Sequence, residues 1–521
     1  METKIVGQHL WVGTIGMGAI GFTYILLQIC RTVFGRKASN DDIEEGKGRS
    51  RSMSFNSSVF LRGVFPPAAE VRPAIINSLF LFKTCPSNED LLGAVGKLMT
   101  YDRFRNAVKF NGKEWQFVET EVDYCNHIKT VSVKSEKEMM AECDRISQLD
   151  LGEYDGVKPL WVFQKVINEG TGLSGLLIRI HHVIGDGISL VNAMSSILTD
   201  EDGVPLNMNV PDGKMSQKDS GKDEVREHSP LPSFFQMAKS FLEIVSLPTS
   251  RYDTKILFSP NSSNKLRMTK KRKSIVFPTV RLDFIKSLKN KAEVTVNDVL
   301  LSILTGAIKR YCANRGDPSM KGAEASKLLN NRCLMPVSLP RPLKQYSDPA
   351  TALRNFWVMV SVPLPLSPLT ARDRLKVCHA NTLLVKKSPT AVIQMYLQNL
   401  LPKILPQFLQ QKTAFDIFSR HTLVFSNVPG PSKLISMCGE QIVGMQILFP
   451  NILTNVILIS YAGSIYFNMN MDDDDTPGAE EELPKYYLEE LTELAKEYGV
   501  STENMLSNLS PEGLLGISTT A

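Results

Sequence analysis

Histidine is scarce in this chain, seven among 521 residues, and two of the seven are adjacent. They open the stretch His181-His182-Val183-Ile184-Gly185-Asp186-Gly187, in which two imidazoles precede a carboxylate flanked by glycines. An imidazole of ordinary pKa, near ~6.5, takes a proton from a hydroxyl at neutral pH as that hydroxyl attacks a carbonyl, and a nearby acid organises it. Two other readings stand beside this one. A histidine and an aspartate four apart could hold a metal from one helical face, but Gly185 and Gly187 disfavour a helix across that span and the sequence offers no second ligand cluster, so no metal is expected. Alternatively, both histidines pack in the core and Asp186 caps a helix or forms a turn.

The elements around the pair decide where it sits. Leu173 to Ile180 is an apolar, β-favouring run and Ile188 to Leu198 has apolar residues at helical spacing, so the motif falls on the turn of a strand–turn–helix unit. Upstream, Ser87 predicts the N-cap of a helix through Met99, Trp115 to Val118 reads as a strand, and Ser135 with Glu138 forms a capping box for a helix to about Leu149. Downstream, Thr295 and Asp298 cap a strongly apolar helix through Tyr311, which explains Asp298 without any function. Pro232 to Val245 reads as an amphipathic helix, usually core and sometimes a membrane-surface element. Pro389 to Leu409 is apolar but broken by Pro402 and Pro406, so it is expected to line a lipid entrance or pack internally, not to span a bilayer. Strands and helices interleave throughout, giving a mixed α/β class.

At 43% hydrophobic and 22% charged residues the chain is an ordinary globular one, long enough for two domain-sized halves. The exception is Leu10 to Cys30, which carries no formal charge and is long enough to cross a ~30 Å hydrocarbon layer as a helix. Arg31, Arg36 and Lys37 follow it, which argues for an uncleaved anchor with the rest of the chain in the cytosol. Residues 1–37 are therefore expected to be a membrane anchor and 38–58 a polar, flexible tether. Residues 59–208 and 233–500 form the two halves, with a charge-dense linker at 209–232 and a tail at 501–521. Eight scattered cysteines without a CxxC pair suit a reducing compartment, and Asn-x-Ser sequons at Asn56, Asn261 and Asn508 would matter only in the opposite topology. A net charge of +5 gives no reason to expect nucleic acid. The basic run Lys270 to Lys273 reads as a solvated loop or as a contact for anionic headgroups or phosphates.

The motif His181–Gly187 resembles the HHxxxDG signature of CoA-dependent acyltransferases, and the chain is similar in particular to the wax ester synthase/diacylglycerol acyltransferase family. Pro159-Leu160-Trp161, Asn297-Asp298-Val299-Leu300, Met335 to Leu339, Arg354-Asn355-Phe356, Ser426 to Pro431 and Ser460 to Gly463 resemble the family's other elements in their order, over roughly residues 59–500. Arg354 stands where the family more often has glycine. The resemblance implies two α/β halves, each a mixed sheet with covering helices, and a site in a channel between them. It implies acyl-CoA as co-substrate with no bound cofactor and a long-chain alcohol or diacylglycerol as acceptor; such substrates together with the expected anchor suit a membrane setting, the endoplasmic reticulum first and a plastid second. His182 is carried over as general base and His181 as its support. Asp186 holds the turn and the imidazole, Gly187 lets the backbone turn and the cofactor approach, and Asn297 and Asp298 border the channel. Two alternatives remain open: the same fold acting on a soluble alcohol or amine, and a membrane-bound acyl-CoA- or lipid-binding protein without turnover.

Overall fold

The structure, a computed structural model, describes residues 50–58, 60–61, 74–206, 232–259, 272–321, 329–339, 341–367, 369–472 and 476–507. The expected anchor, almost all of the linker, the sequons at Asn261 and Asn508 and the tail from residue 508 lie outside the described residues. Among the described residues no helix is long and apolar enough to cross a membrane.

Among the described residues the first elements are β1 (Ser50–Ser52), the single turn α1 (Phe55–Ser58), β2 (Ile75–Phe82), α2 (Asn88–Leu98), the turn α3 (Asp102–Arg105), β3 (Asn106–Phe110) and β4 (Trp115–Glu119). It continues through β5 (Ile128–Val133), α4 (Glu136–Ser147), β6 (Trp161–Asn168), β7 (Ser174–His181), α5 (Gly187–Met194), β8 (Leu198–Thr199) and α6 (Phe234–Ser246). Then come β9 (Arg272–Val276), β10 (Val280–Arg281), α7 (Leu282–Ala292), α8 (Val296–Asn314), β11 (Asn331–Ser338), the short α9 (Leu343–Ser347), β12 (Trp357–Leu364), α10 (Ala371–Lys387), α11 (Thr390–Ile404) and α12 (Gln407–Ser419). The last elements are β13 (Leu423–Pro429), β14 (Ser436–Met437), β15 (Glu440–Leu448), β16 (Thr454–Tyr461), β17 (Ser464–Asp472) and α13 (Ala479–Tyr498).

The helix starts follow their caps. Ser87 Oγ accepts from the Asp90 amide at 3.1 Å and Ser135 Oγ from the Glu138 amide at 3.2 Å. Glu138 returns its carboxylate to the Lys134 amide, one residue before the box that sequence predicts. At α8 the box is complete: Thr295 Oγ1 accepts from the Asp298 amide while the Asp298 carboxylate accepts from the Thr295 amide at 2.9 Å.

Two mixed sheets carry the molecule, as a two-half α/β architecture requires. The first runs β5-β6-β7-β2-β15-β14-β8 and the second β10-β17-β16-β13-β11-β12, with β9 also on β17. The sequence boundaries of the halves need correction. β14 and β15 belong by sequence to the expected 233–500 half, yet β15 pairs antiparallel with β2 from Ile442↔Phe82 to Leu448↔Asn77. That pairing covers a β2 edge that would otherwise expose its backbone donors and acceptors. The cores interpenetrate too, since Ile457, Ile459, Tyr461 and Tyr466 of the second sheet pack into the first sheet's core. The Tyr461 hydroxyl ties them further, donating to the Ile442 carbonyl at 2.6 Å and accepting from the Ile435 amide at 3.0 Å.

The expected tether also ends earlier than residue 58. Ser50 to Ser52 pair with Gln116 to Val118 of β4, and Asn56, Ser57 and Ser58 are buried. Polar composition suggested a solvated segment, but these short side chains are consumed by hydrogen bonds inside the molecule. The basic run ends in a strand rather than in a loop: Arg272 is buried on β9 and reaches the Ile452 carbonyl, and Lys273 pairs with Glu480 at 2.6 Å.

Candidate active site

β7 is buried along its whole length, as a strand covered on both faces should be for the run Ser-Gly-Leu-Leu-Ile-Arg-Ile-His. His181 is its last residue, paired with Ile75 of β2, and the His182 amide donates to the Ala74 carbonyl at 2.7 Å. The chain then turns and re-enters helix at Gly187. Asp186 is the N-cap of α5, its Oδ1 accepting from the Ser189 amide at 2.9 Å. Its Oδ2 accepts from the Phe356 amide at 2.8 Å, and its own amide donates to the Arg354 carbonyl at 2.9 Å. Asp186 thus staples the turn to the start of β12, across the two sheets.

The expected bond between Asp186 and the imidazole is replaced by another. His182 Nδ1 lies 3.0 Å from Asn355 Oδ1, while Asn355 Nδ2 donates to the His182 carbonyl at 2.8 Å and to the Val183 carbonyl at 3.3 Å. Because the amide nitrogen is spent on carbonyls, Oδ1 is the group facing the ring, so Nδ1 carries the proton and Nε2 carries the lone pair. Among the described residues Nε2 has no hydrogen-bond partner. The Phe60 ring stacks on the imidazole with centroids 4.2 Å apart, and Trp357 and Phe449 stand at 6.1 and 5.8 Å. Burial pushes the His182 pKa below the usual histidine value, partly opposed by the Asp186 carboxylate and the Asn355 bond.

His181 points away from this arrangement. Its Nδ1 accepts from the Val183 amide at 3.2 Å, which leaves the Nε2 proton for the Tyr154 hydroxyl at 3.2 Å. Burial, with the neighbouring His182 adding to it, drives its pKa down to about 3, so it is a neutral structural group. The carbonyls that follow the pair are held by Arg103, whose Nη1 donates to Val183 O at 3.0 Å, Ile184 O at 3.1 Å and Ser57 Oγ at 3.1 Å. Ser57 also receives Asn355 Nδ2 at 3.3 Å, and Asn56 Nδ2 donates to the Asn355 carbonyl at 3.1 Å. Arg103, Ser57, Asn56, Phe60 and Asn355 were not singled out as site residues from sequence. Only Asn355 left a signal, as part of Arg354-Asn355-Phe356, and that signal was one of order, not chemistry.

Neither glycine of the motif has a positive φ, so backbone turning is not what they supply. A Cβ at Gly185 would press on Leu353 and Ser189 at 3.3 Å. At Gly187 it would meet only Val428 at 3.9 Å, on the wall of the cavity that Gly187 lines. That cavity measures about 1010 Å³, at the upper end of the ~300–1,000 Å³ range of ligand pockets, and both sheets contribute to it. His182 and Asp186 line it together with Ile180, Leu190 and Met194 from one side and Val428, Ile457 and Phe418 from the other.

The second pair of expected residues divides. Asp298 is fully buried, does not line the cavity, and accepts from His379 Nδ1 at 2.8 Å and Thr382 Oγ1 at 2.5 Å besides the Thr295 amide. It locks α8 to α10. Asn297 hydrogen bonds through Oδ1 to the side-chain amide of Asn427, a residue that does line the cavity, so Asn297 stands at its rim. Among the described residues no group of three His, Cys, Asp or Glu converges as a metal site.

Two sheets of this order around a shared cavity, with the histidine at its wall, make an α/β fold shared with solved condensation-domain and acyltransferase structures. The first condensation domain of the calcium-dependent antibiotic synthetase superposes with a TM-score of 0.53 at 10% identity, covering 88% of this chain and 99% of that one. The wax ester synthase/diacylglycerol acyltransferase from Marinobacter aquaeolei VT8 superposes with a TM-score of 0.57 at 18% identity, covering 86% and 100%. Residues 96–300 match the wax ester synthase/diacylglycerol acyltransferase catalytic domain, and residues 354–495 match that family's C-terminal domain. Wax ester synthase/diacylglycerol acyltransferase 1 of Arabidopsis thaliana is 26% identical over 436 residues, spanning 75% of this chain and 85% of the relative. The chain belongs to the wax ester synthase/diacylglycerol acyltransferase family and is an O-acyltransferase.

Proposed function

We propose that the chain transfers the acyl group of a long-chain acyl-CoA to the hydroxyl of a fatty alcohol or of diacylglycerol, with His182 as general base. The observation that carries this reading is the imidazole itself: Nδ1 is committed to Asn355 Oδ1, Nε2 is unbonded among the described residues, and the ring lines a large apolar cavity. A lowered pKa keeps the ring neutral, and so competent as a base, at physiological pH.

In this mechanism Nε2 takes the hydroxyl proton as the oxygen attacks the thioester carbonyl carbon. The resulting tetrahedral intermediate collapses by breaking the C–S bond, and the imidazolium returns its proton to the departing thiolate. A thiol's pKa near ~8.5 makes this leaving group far better than an alkoxide. Asp186, close enough to raise the imidazole's proton affinity, favours the transient imidazolium. Gly187 keeps the wall beside Val428 open for the reacting chains, and His181 acts only by holding the turn. Asn297 would act through Asn427 at the rim, where an acyl-CoA would enter. The reaction as written uses acyl-CoA as co-substrate and needs no bound cofactor. Leu10 to Cys30 would anchor the protein in the endoplasmic reticulum membrane, or in a plastid membrane, with the catalytic body in the cytosol.

The test is a parallel assay of membranes carrying wild type or His182→Ala, supplied with labelled palmitoyl-CoA and either hexadecanol or diacylglycerol. Ester from wild type and almost none from the variant is expected, and the lipid formed identifies the acceptor. Comparable turnover by both would remove His182 from the chemistry.

A further inference from the structure

The cavity reaches the surface beside α6, where Val245 lines it and is itself exposed. Met237, Phe241 and Ile244 form one apolar stripe that packs on Ile393 and Leu397 of α11, and Ser240 Oγ accepts from Thr390 Oγ1 at 3.1 Å. A second stripe faces outward: Phe235 is 82% exposed, Leu242 64% and Val245 52%. Ile404, the last residue of α11, is 65% exposed, and Phe408, in the first turn of α12, 70%. Large apolar side chains bared along one helix stripe, with two more at the α11–α12 corner, mark an interaction site rather than ordinary scatter.

We infer that the outer face of α6 and the α11–α12 corner dock on a lipid bilayer, so that the cavity opens into the membrane and takes its acyl acceptor from there. Three observations select a bilayer over another occupant. Val245 belongs to the bare stripe and also lines the cavity, and the half-buried Leu401 and Leu405 line it too, so apolar surface leads from the bare face into the cavity. The helices α6, α11 and α12 carry three lysines and two acids, and both acids are paired, Glu243 with Lys239 and Asp416 with Lys412 at 2.7 Å, so no unpaired carboxylate on these helices opposes contact with a bilayer. Lastly, the uncharged run ending at Cys30 is joined to the described body by 19 residues, at most about 65 Å of extended chain, and just beyond Ser50 the Asn56 side chain accepts from Gln398 of α11 at 2.7 Å. The tether from the uncharged run therefore enters the body beside α11, the helix that also packs on α6. An amphipathic helix of this kind lies in the interface with its apolar side among the acyl chains.

The inference rests on the acceptor being a lipid, and the experiment separates the two claims. Full-length Phe235→Trp is bound to phosphatidylcholine–phosphatidylserine vesicles whose acyl chains are brominated, and the wild-type emission is subtracted. The emission added by the new indole is expected to be quenched at least about twofold, as for a side chain among acyl chains. Unquenched added emission overturns the proposal, with a solvent-like maximum meaning a bare face and a protein-like maximum a face covered by a second copy or by this chain's own residues. In parallel, the double variant Phe235→Asp with Phe408→Asp is expected to lose about tenfold in turnover of vesicle-borne diacylglycerol while keeping its rate on octanol in solution. Equal loss on both acceptors also counts against the proposal. If wild type forms no ester from either acceptor, the acyl-transfer reading fails while the quenching still decides the docking.

Discussion

Replacing Asn355 tests whether the imidazole is a base set in one tautomer or merely a buried ring. Asn355→Ala removes the acceptor 3.0 Å from His182 Nδ1, so nothing then fixes the proton on that nitrogen. A buried hydrogen bond of this type is worth about 1 kcal/mol, which shifts the tautomer ratio roughly fivefold away from the reactive form. His182→Ala should cost about a hundredfold or more, because the base itself is gone. The two losses should not add: in the His182→Ala background the Asn355 change has no tautomer left to control, so a further drop in kcat is not expected. KM for either substrate should hold, because Asn355 does not line the cavity. The fold should weaken as well. The His182 carbonyl loses its 2.8 Å donor, at about 1–3 kcal/mol for a buried acceptor left unpaired, whereas Val183 O and Ser57 Oγ keep Arg103. Turnover is therefore compared at a temperature where melting curves show all variants folded. Asn355→Asp supplies the signature that a purely structural role lacks. A carboxylate beside Nδ1 raises the His182 pKa, so the base becomes protonated, and activity is lost, at a higher pH, with the acid limb of kcat moving up by about one unit or more. An unmoved acid limb, or full additivity of the two alanine changes, would refute the tautomer argument.

Other outcomes follow from the same geometry. Gly187→Ala should leave melting temperature nearly unchanged, because the new methyl meets only Val428 at 3.9 Å, while Gly187→Leu should raise KM for long-chain substrates by intruding on the cavity; melting curves and KM measured together check both. Gly306→Ala should be severely destabilising, since its Cβ would fall 2.2 Å from Glu490 Oε2 and 2.6 Å from Arg374 Nη1 and break a buried ion pair, at about 3–5 kcal/mol in a denaturant titration. Asp298→Asn should lower stability and leave KM for acyl-CoA where it was, because its partners are Thr295, His379 and Thr382 and not the cavity; a raised KM would return Asp298 to the binding site. Acid should unfold the protein early. Burial lowers His127 to about 4 and His181 and His421 to about 3, so the unfolded chain binds more protons than the native one. The stability these neutral rings contribute is complete above pH ~6.5 and declines by up to about 1.4 kcal/mol per pH unit for each as pH falls toward those values, which melting curves between pH 7 and 4.5 will register.

How much of this was legible in sequence depended on the range of the signal. Caps and periodicities act within one turn or one strand, and Ser87, Ser135 and Thr295 placed their helices where they stand. The strand–turn–helix unit around His182 was readable for the same reason, since a run of apolar residues, a turn and an N-capping aspartate are all local. What carried no local signal was pairing at long range. β15 joins β2 from 371 residues away at Asn77 and Leu448, and nothing in the composition of Glu440 to Leu448 names its partner strand. Polar character misled at residues 50–58 because solvation and burial with satisfied hydrogen bonds look alike when only residue types are known.

The same limit explains why Asp186, rather than Asn355, was expected to hold the imidazole. Asp186 is four residues from His182 in the chain, and proximity in sequence was the only geometry available. In the fold that carboxylate is already consumed by the Ser189 and Phe356 amides, so it can act on His182 through its field but not through a bond. The bond comes instead from the opposite sheet, through a side chain 173 residues away that also clamps the carbonyl of the residue it orients. This division has a functional logic. A carboxylate bonded directly to Nδ1 would raise the ring's pKa toward protonation, whereas a neutral amide fixes the tautomer and leaves the ring uncharged and basic in an apolar cavity. With Asp186 held at the helix start, negative charge is near enough to favour the transient imidazolium and too far to create it beforehand.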